Sequence, residues 1–173
     1  MDVDSTPLSG TWLRHIPEGG DVLYEPDAPA DNRWQRGTVV EALYFADSEP
    51  TVWAEWYRYL AEASLPPRAV LPRDLWEWEI SLPDVADLSD DDRLARVGLP
   101  RLRPTRQQWP EFQPIGEQLY AEGRAALVCA SAARPQGQVL CVYRTETQPP
   151  GTRPLPPPTT VADAPIVPTG LRT

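Results

Sequence analysis

ALYFADSEPTVWAEWYRYLAEA, residues 42–63, contains the change of apolar period on which the reading of the fold turns. Residues 42–46 are a short, aromatic-rich strand. Residues 47–50 are a turn, with Ser48 placed to cap a helix and Pro50 in its first turn. From Thr51 the period lengthens, and Val52, Trp56, Leu60 and Ala63 fall on one face of a helix over 51–63. Working outward, LWEWEISL at 75–82 alternates apolar and polar residues, as a half-buried strand does. SDDDRLARV at 89–97 is a short helix with acidic residues in its first turn, and Gly98 can end it. Residues 109–123 contain a further helix over about 115–122. Residues 125–130 and 138–144 are two strands joined by SAARPQG, whose Pro135 and Gly137 suit a turn. This order is α+β, not regular βαβ, and no GxGxxG fingerprint accompanies it.

The ends differ in composition from this core. Residues 1–10 read as a flexible lead-in. From 145 to 173 the chain is rich in Pro and Thr (TQPPGTRPLPPPTT) and poor in large apolar residues. Such a segment buries too little surface to offset the entropy of ordering it, and is expected to be extended or disordered. The 173 residues suffice for one domain with one real core. No apolar run approaches membrane-spanning length, and residues 1–10 have no secretory pattern, so a cytoplasmic protein that binds no membrane is expected.

Composition excludes several chemistries. The net charge of −9 disfavours direct binding of nucleic acid, although a local arginine cluster can still hold a small anion. All basic residues are arginine, so a Schiff-base lysine and a P-loop lysine are both impossible. His15 is the only histidine, which removes metal sites needing two and reads as structural or solvent-facing. Cys129 and Cys141 lie in apolar stretches and read as buried free thiols. Glu77 and Glu79 share a strand face and read as solvated, not as a carboxylate pair across a cleft. Seven tryptophans in 173 residues is a high number; not all need be core, and some are free to form an apolar interface patch.

A spaced set of polar residues beside aromatics remains. Arg14 follows Trp12-Leu13, and Arg33 precedes Trp34. Tyr44 lies eleven positions after Arg33, and Glu55 eleven after Tyr44, between Trp53 and Trp56. Ser131 ends an apolar strand. Each has an ordinary explanation alone. Arg14 can cover Trp12, Arg33 can pack on Trp34 by cation–π attraction, and Tyr44 can be a core residue. Glu55 can be a plain helix glutamate and Ser131 a strand end. Their joint order is what stands out.

That order, with WLRH at 12–15, NRWQRG at 32–37, ALYFADSEPTVWAEW at 42–56, WPEFQPIGEQLYAEG at 109–123 and LVCASAARP at 127–135, resembles the RES-domain toxins over roughly residues 11–144. One departure is that Asp31 and Asn32 stand where the family often has glycines, and Arg36 competes with Arg33 for the substrate-contacting role. The resemblance implies an ADP-ribosyltransferase-like fold of small mixed sheets with flanking helices. It implies NAD⁺ as substrate, no resident cofactor or metal, and inorganic phosphate as co-substrate of an NAD⁺ phosphorylase. It implies a hetero-oligomer with an Xre-type antitoxin that restrains the toxin. Arg14, Arg33, Tyr44, Glu55 and Ser131 are then the NAD⁺-binding residues, with Arg33, Tyr44 and Glu55 catalytic. Guanidinium groups suit the pyrophosphate. A carboxylate can stabilise positive charge developing on the ribose. Nicotinamide departs neutral and needs no general acid. Tyr44 can stack on the nicotinamide or ribose, and Ser131 can bond the carboxamide or a phosphate. Transfer of ADP-ribose to a protein from the same site is the alternative, and a non-catalytic binding or interaction module a further one.

Overall fold

The computed structural model describes all residues from Met1 to Thr173. The elements in chain order are β1 (Ser5–Pro17), β2 (Glu41–Ala46), α1 (Glu49–Ala63), β3 (Arg73–Leu88), α2 (Asp91–Arg96), α3 (Trp109–Ala121), β4 (Ala126–Ala130), β5 (Gln138–Arg144) and β6 (Thr152–Val161), with short 3₁₀ turns before β3 and α3. The class is α+β. No helix is long and apolar enough to cross a membrane.

The strands form one mixed sheet in the order β1-β2-β5-β4-β3-β6. β1 also pairs antiparallel with β3 along its length, from Pro17 opposite Arg73 to Ser5 opposite Ala86, while Leu13 reaches Ala46 of β2. The pairings therefore close a circuit, β1-β2-β5-β4-β3-β1, with β6 as an outer strand on β3. Only β3–β4 is parallel. β3 alternates as its sequence implies: Trp78, Ile80 and Leu82 are buried and Glu77 and Glu79 exposed. It continues past residue 82, however, because Val85–Leu88 pair with Ala126–Cys129. Trp12, Phe45, Trp78, Leu140 and Val142 fill the core within one side of this circuit; Trp34, Leu88, Phe112, Leu119 and Cys141 fill another. Removing such a fully buried side chain from water contributes roughly 1.5–3 kcal/mol each.

The two chain ends meet the sequence expectation differently. Residues 5–10 are not a flexible lead-in but the first half of β1, because the long β3 offers them a complete ladder. The Pro-rich segment after 144 is extended, as expected, over 152–161, where β6 pairs with β3. Proline is tolerated there because an outer strand needs ladder bonds on one side only. Pro156–Pro158 sit in a register shift opposite Trp76, between the pairs Leu155–Glu77 and Thr159–Leu75. Side chains fix the strand further: Thr160 donates to Asp74 at 2.7 Å and Arg153 pairs with Glu79. Residues 162–173 then run back across α1, where the Tyr57 hydroxyl donates to the Pro165 carbonyl, and the Arg172 amide donates to the Ala133 carbonyl.

The helices are placed as their caps dictate. Ser48 is the residue before α1 in extended conformation, but its hydroxyl bonds Asp47 and Thr51 side chains and leaves the cap to the backbone. α1 buries Val52, Trp53, Trp56 and Leu60; Ala63, expected on that face, is exposed in its last turn. Asp90 caps α2, accepting from the Arg93 amide at 2.8 Å. α3 begins at Trp109, six residues before the expected start, because Pro110 occupies its first turn without disrupting it. The tryptophans do not form an interface patch: five are buried and Trp76 and Trp109 half-buried, all packed into the fold.

Candidate active site

The face of α1 that carries Glu55 looks into a cleft of about 270 Å³. β1 contributes Arg14 and His15, the loop before β2 contributes Asn32 and Arg33, β2 contributes Tyr44, and Arg58 and Trp109 complete the polar and aromatic rim. Four of the five sequence-predicted residues thus line one cleft. The fifth, Ser131, lies just behind it and touches Glu55.

Glu55 is the most constrained group. One carboxylate oxygen accepts from the Ser131 hydroxyl at 2.6 Å and the Ala133 amide at 3.3 Å; the other accepts from Arg58 Nε at 2.9 Å. Three donors from two elements fix its plane, as preorganised electrostatic stabilisation requires. Ser131 is itself held by accepting from the Arg134 amide at 2.9 Å, so the turn at 131–137 acts as a cradle. The serine hydroxyl donates to Glu55, so in this arrangement it supports the carboxylate.

Arg33 is buried, and no carboxylate pairs with it. Its guanidinium donates to Gln108 Oε1 at 3.3 Å and the Arg103 carbonyl at 2.7 Å, and lies over the Phe112 ring at 5.2 Å, not over Trp34. Arg14 likewise has only the Val22 carbonyl, at 3.3 Å. Burial, with a smaller push from Arg144, lowers Arg14 to about 10, and burial lowers Arg33 as well; both remain charged at neutral pH. Arg36, the competitor of Arg33, is on the surface, held by Glu117 at 2.8 Å, and does not line the cleft. The Gly116 of α3 lets the Arg33–Trp34 loop approach: a Cβ there would meet the Trp34 carbonyl at 2.0 Å.

Tyr44 donates its hydroxyl to Gln35 at 2.7 Å and accepts from the Trp34 amide at 3.4 Å. Burial holds the phenol well above its ordinary range, so it is neutral and offers the cleft its ring. Cys129 also lines the cleft, but burial pushes its thiol up to about 12, which removes thiolate nucleophilicity at neutral pH.

Three contributors were missed in the sequence. Arg58 lies three residues after Glu55 on the same helix face, a spacing at which opposite charges meet, and it bridges Glu55 and Glu62. His15, read as structural or solvent-facing, stacks on Trp53 with centroids 5.5 Å apart and also lines the cleft. Gln108, which holds Arg33, carries no local signal, because it arrives from a distant turn.

The RES domain family model matches residues 9–161, a span that runs from within β1 to the end of β6. No curated protein matches the chain. Among solved structures the chain is similar to one described as the crystal structure of the M. tuberculosis MbcT-MbcA toxin-antitoxin complex. The TM-score is 0.77 and the identity 21%, with 92% of this chain and 87% of that chain covered. That likeness extends to the fold of nearly the whole chain.

Proposed function

Since this chain belongs to the RES-domain family, we propose that it is the toxin of a toxin–antitoxin pair and degrades NAD⁺ by cleaving the nicotinamide–ribose bond. The observation that carries the reading is a carboxylate fixed by three donors, in a cleft whose two further arginines, Arg14 and Arg33, have no carboxylate partner. Unpaired guanidinium groups kept charged in a cleft suit a ligand that brings its own negative charge. NAD⁺ does so with its pyrophosphate. The cleft, at about 270 Å³, lies below the range of roughly 300–1,000 Å³ that encloses drug-sized ligands, so it suits the nicotinamide–ribose half, with the adenosine outside.

In this reading Arg14 and Arg33 bind the pyrophosphate and orient the bond to be broken. The Tyr44 ring forms a wall against nicotinamide or ribose. As the glycosidic bond lengthens, its electrons leave with the pyridinium nitrogen, which becomes neutral nicotinamide. Positive charge grows on the ribose, and the Glu55 carboxylate stabilises it. Inorganic phosphate then captures the ribose carbon, giving ADP-ribose 1″-phosphate. An Xre-type antitoxin would hold the enzyme inactive in a hetero-oligomer; a neighbour of the same fold is described in a toxin–antitoxin complex.

The test is NMR of NAD⁺ incubated with the purified chain, with and without inorganic phosphate. Nicotinamide release that depends on phosphate, with a new anomeric phosphate signal, is the expected result. Equal release without phosphate makes water the acceptor. Label carried from NAD⁺ into protein would indicate ADP-ribosyl transfer, and intact NAD⁺ would overturn the reading.

A further inference from the structure

His15 lines the cleft, and the mechanism above does not use it. Its ring is stacked on Trp53 at an interplanar angle of 20° and meets Trp56 edge-on at 6.3 Å. Arg73 reaches it from β3, with Nε at 3.1 Å and Nη2 at 2.9 Å from the same ring atom, Nδ1. An arginine can only donate, so Nδ1 must be the acceptor. A neutral imidazole with an acceptor Nδ1 carries its hydrogen on Nε2. That N–H bonds no group of the protein, and the residue that carries it lines the cleft.

The geometry points to His15 as a substrate-binding residue that donates its Nε2–H to the carboxamide oxygen of nicotinamide. This rests on the NAD⁺ reading of the cleft. The choice of acceptor follows from charge. Two guanidinium groups without carboxylate partners are already available for phosphate oxygens, and they bind them more strongly than a neutral donor does. A neutral N–H beside tryptophan rings suits the uncharged carbonyl of an aromatic amide. The surroundings keep the ring neutral: burial first, then the charges of Arg73 and Arg14, lower its pKa to about 3. The donor therefore stays the same across the physiological range. Arg73 and Trp53 give the ring a fixed plane and tautomer, so the bond costs little ordering on binding.

The experiment measures kcat/KM for wild type, His15→Phe and His15→Gln with NAD⁺ and with the analogue whose carboxamide is replaced by hydrogen. Phenylalanine keeps a ring on Trp53 and removes the N–H; glutamine keeps an acceptor for Arg73 and a donor toward the cleft. With NAD⁺, His15→Phe should lose roughly 3–10-fold, the range for one neutral hydrogen bond. His15→Gln should recover part of that loss. With the analogue, wild type and His15→Phe should be equal. Equal kcat/KM for both proteins on NAD⁺, or the same loss on both substrates, overturns the assignment while leaving NAD⁺ cleavage intact. Wild type that leaves NAD⁺ uncleaved overturns both readings.

Discussion

Replacing Glu55 by glutamine changes one atom's identity in the cleft, and its two effects should differ widely in size. Cleavage loses a negative charge beside the developing cation. Two unit charges about 4 Å apart attract by about 4 kcal/mol at an effective dielectric of about 20, which corresponds to roughly a thousandfold in rate. Folding loses much less. The Glu55–Arg58 pair lies within one helix, with the two side chains 26% and 14% exposed, and a pair so placed contributes less than about 1 kcal/mol. The amide adds a second cost, because its oxygen can face Ser131 and Ala133 only if its NH₂ faces the Arg58 Nε donor. That mismatch costs about 1 kcal/mol more. The variant should melt only a few degrees below wild type while releasing nicotinamide about a thousandfold more slowly. Single-turnover release followed by chromatography, with a thermal melt on the same preparation, measures both. Turnover within about threefold of wild type in a folded Glu55→Gln protein would refute the placement of the carboxylate at the reacting carbon.

Ser131→Ala leaves Glu55 held by Arg58 and the Ala133 amide alone; kcat should fall about tenfold with KM little changed, and an unaltered kcat in steady-state assays counts against the cradle. Arg33→Met removes a buried charge that no carboxylate compensates, so calorimetry should show NAD⁺ affinity down at least about tenfold while the melting temperature holds or rises. A large fall in melting temperature would make Arg33 structural. For His15 the folded pKa of about 3 lies below the unfolded value of about 6.5. Between these limits the unfolded chain binds a proton that the folded chain does not, so stability present above pH 6.5 is lost as pH falls. Denaturant titrations from pH 6 to pH 4.5 should show wild type losing about 1.4 kcal/mol per pH unit more than His15→Gln; parallel profiles would show that His15 protonates freely in the fold.

The elements legible in the sequence were those whose own periodicity decides them. The change of period at 42–63 locates β2 and α1, and alternation locates the first half of β3. The elements that were not legible owe their form to partners. Residues 5–10 (STPLSG) have no strand pattern and become a strand because β3 lies beside them. Thr152–Val161 carries four prolines and is ordered by Asp74, Glu79 and the β3 ladder. The site followed the same division. Arg14, Arg33, Tyr44, Glu55 and Ser131 could be picked out as an ordered set, and the fold brings them together. What each side chain bonds depended on long-range neighbours: Arg33 lies on Phe112 and not Trp34, Ser131 supports Glu55, and Arg73 sets the tautomer of His15.

β6 has a consequence for how this molecule meets others. It pairs with β3 on one side, and its other edge faces outward with Pro154 and Pro156–Pro158 in place of amide donors. A strand from another chain needs an unbroken row of donors and acceptors to add itself to a sheet. This border lacks that row, so the chain resists strand-by-strand growth into fibres from β6, and a protein inhibitor has to grip side chains or the cleft mouth instead. A product cut short before residue 152 would lose that guard and leave the edge of β3 open, sticky where the finished chain is not.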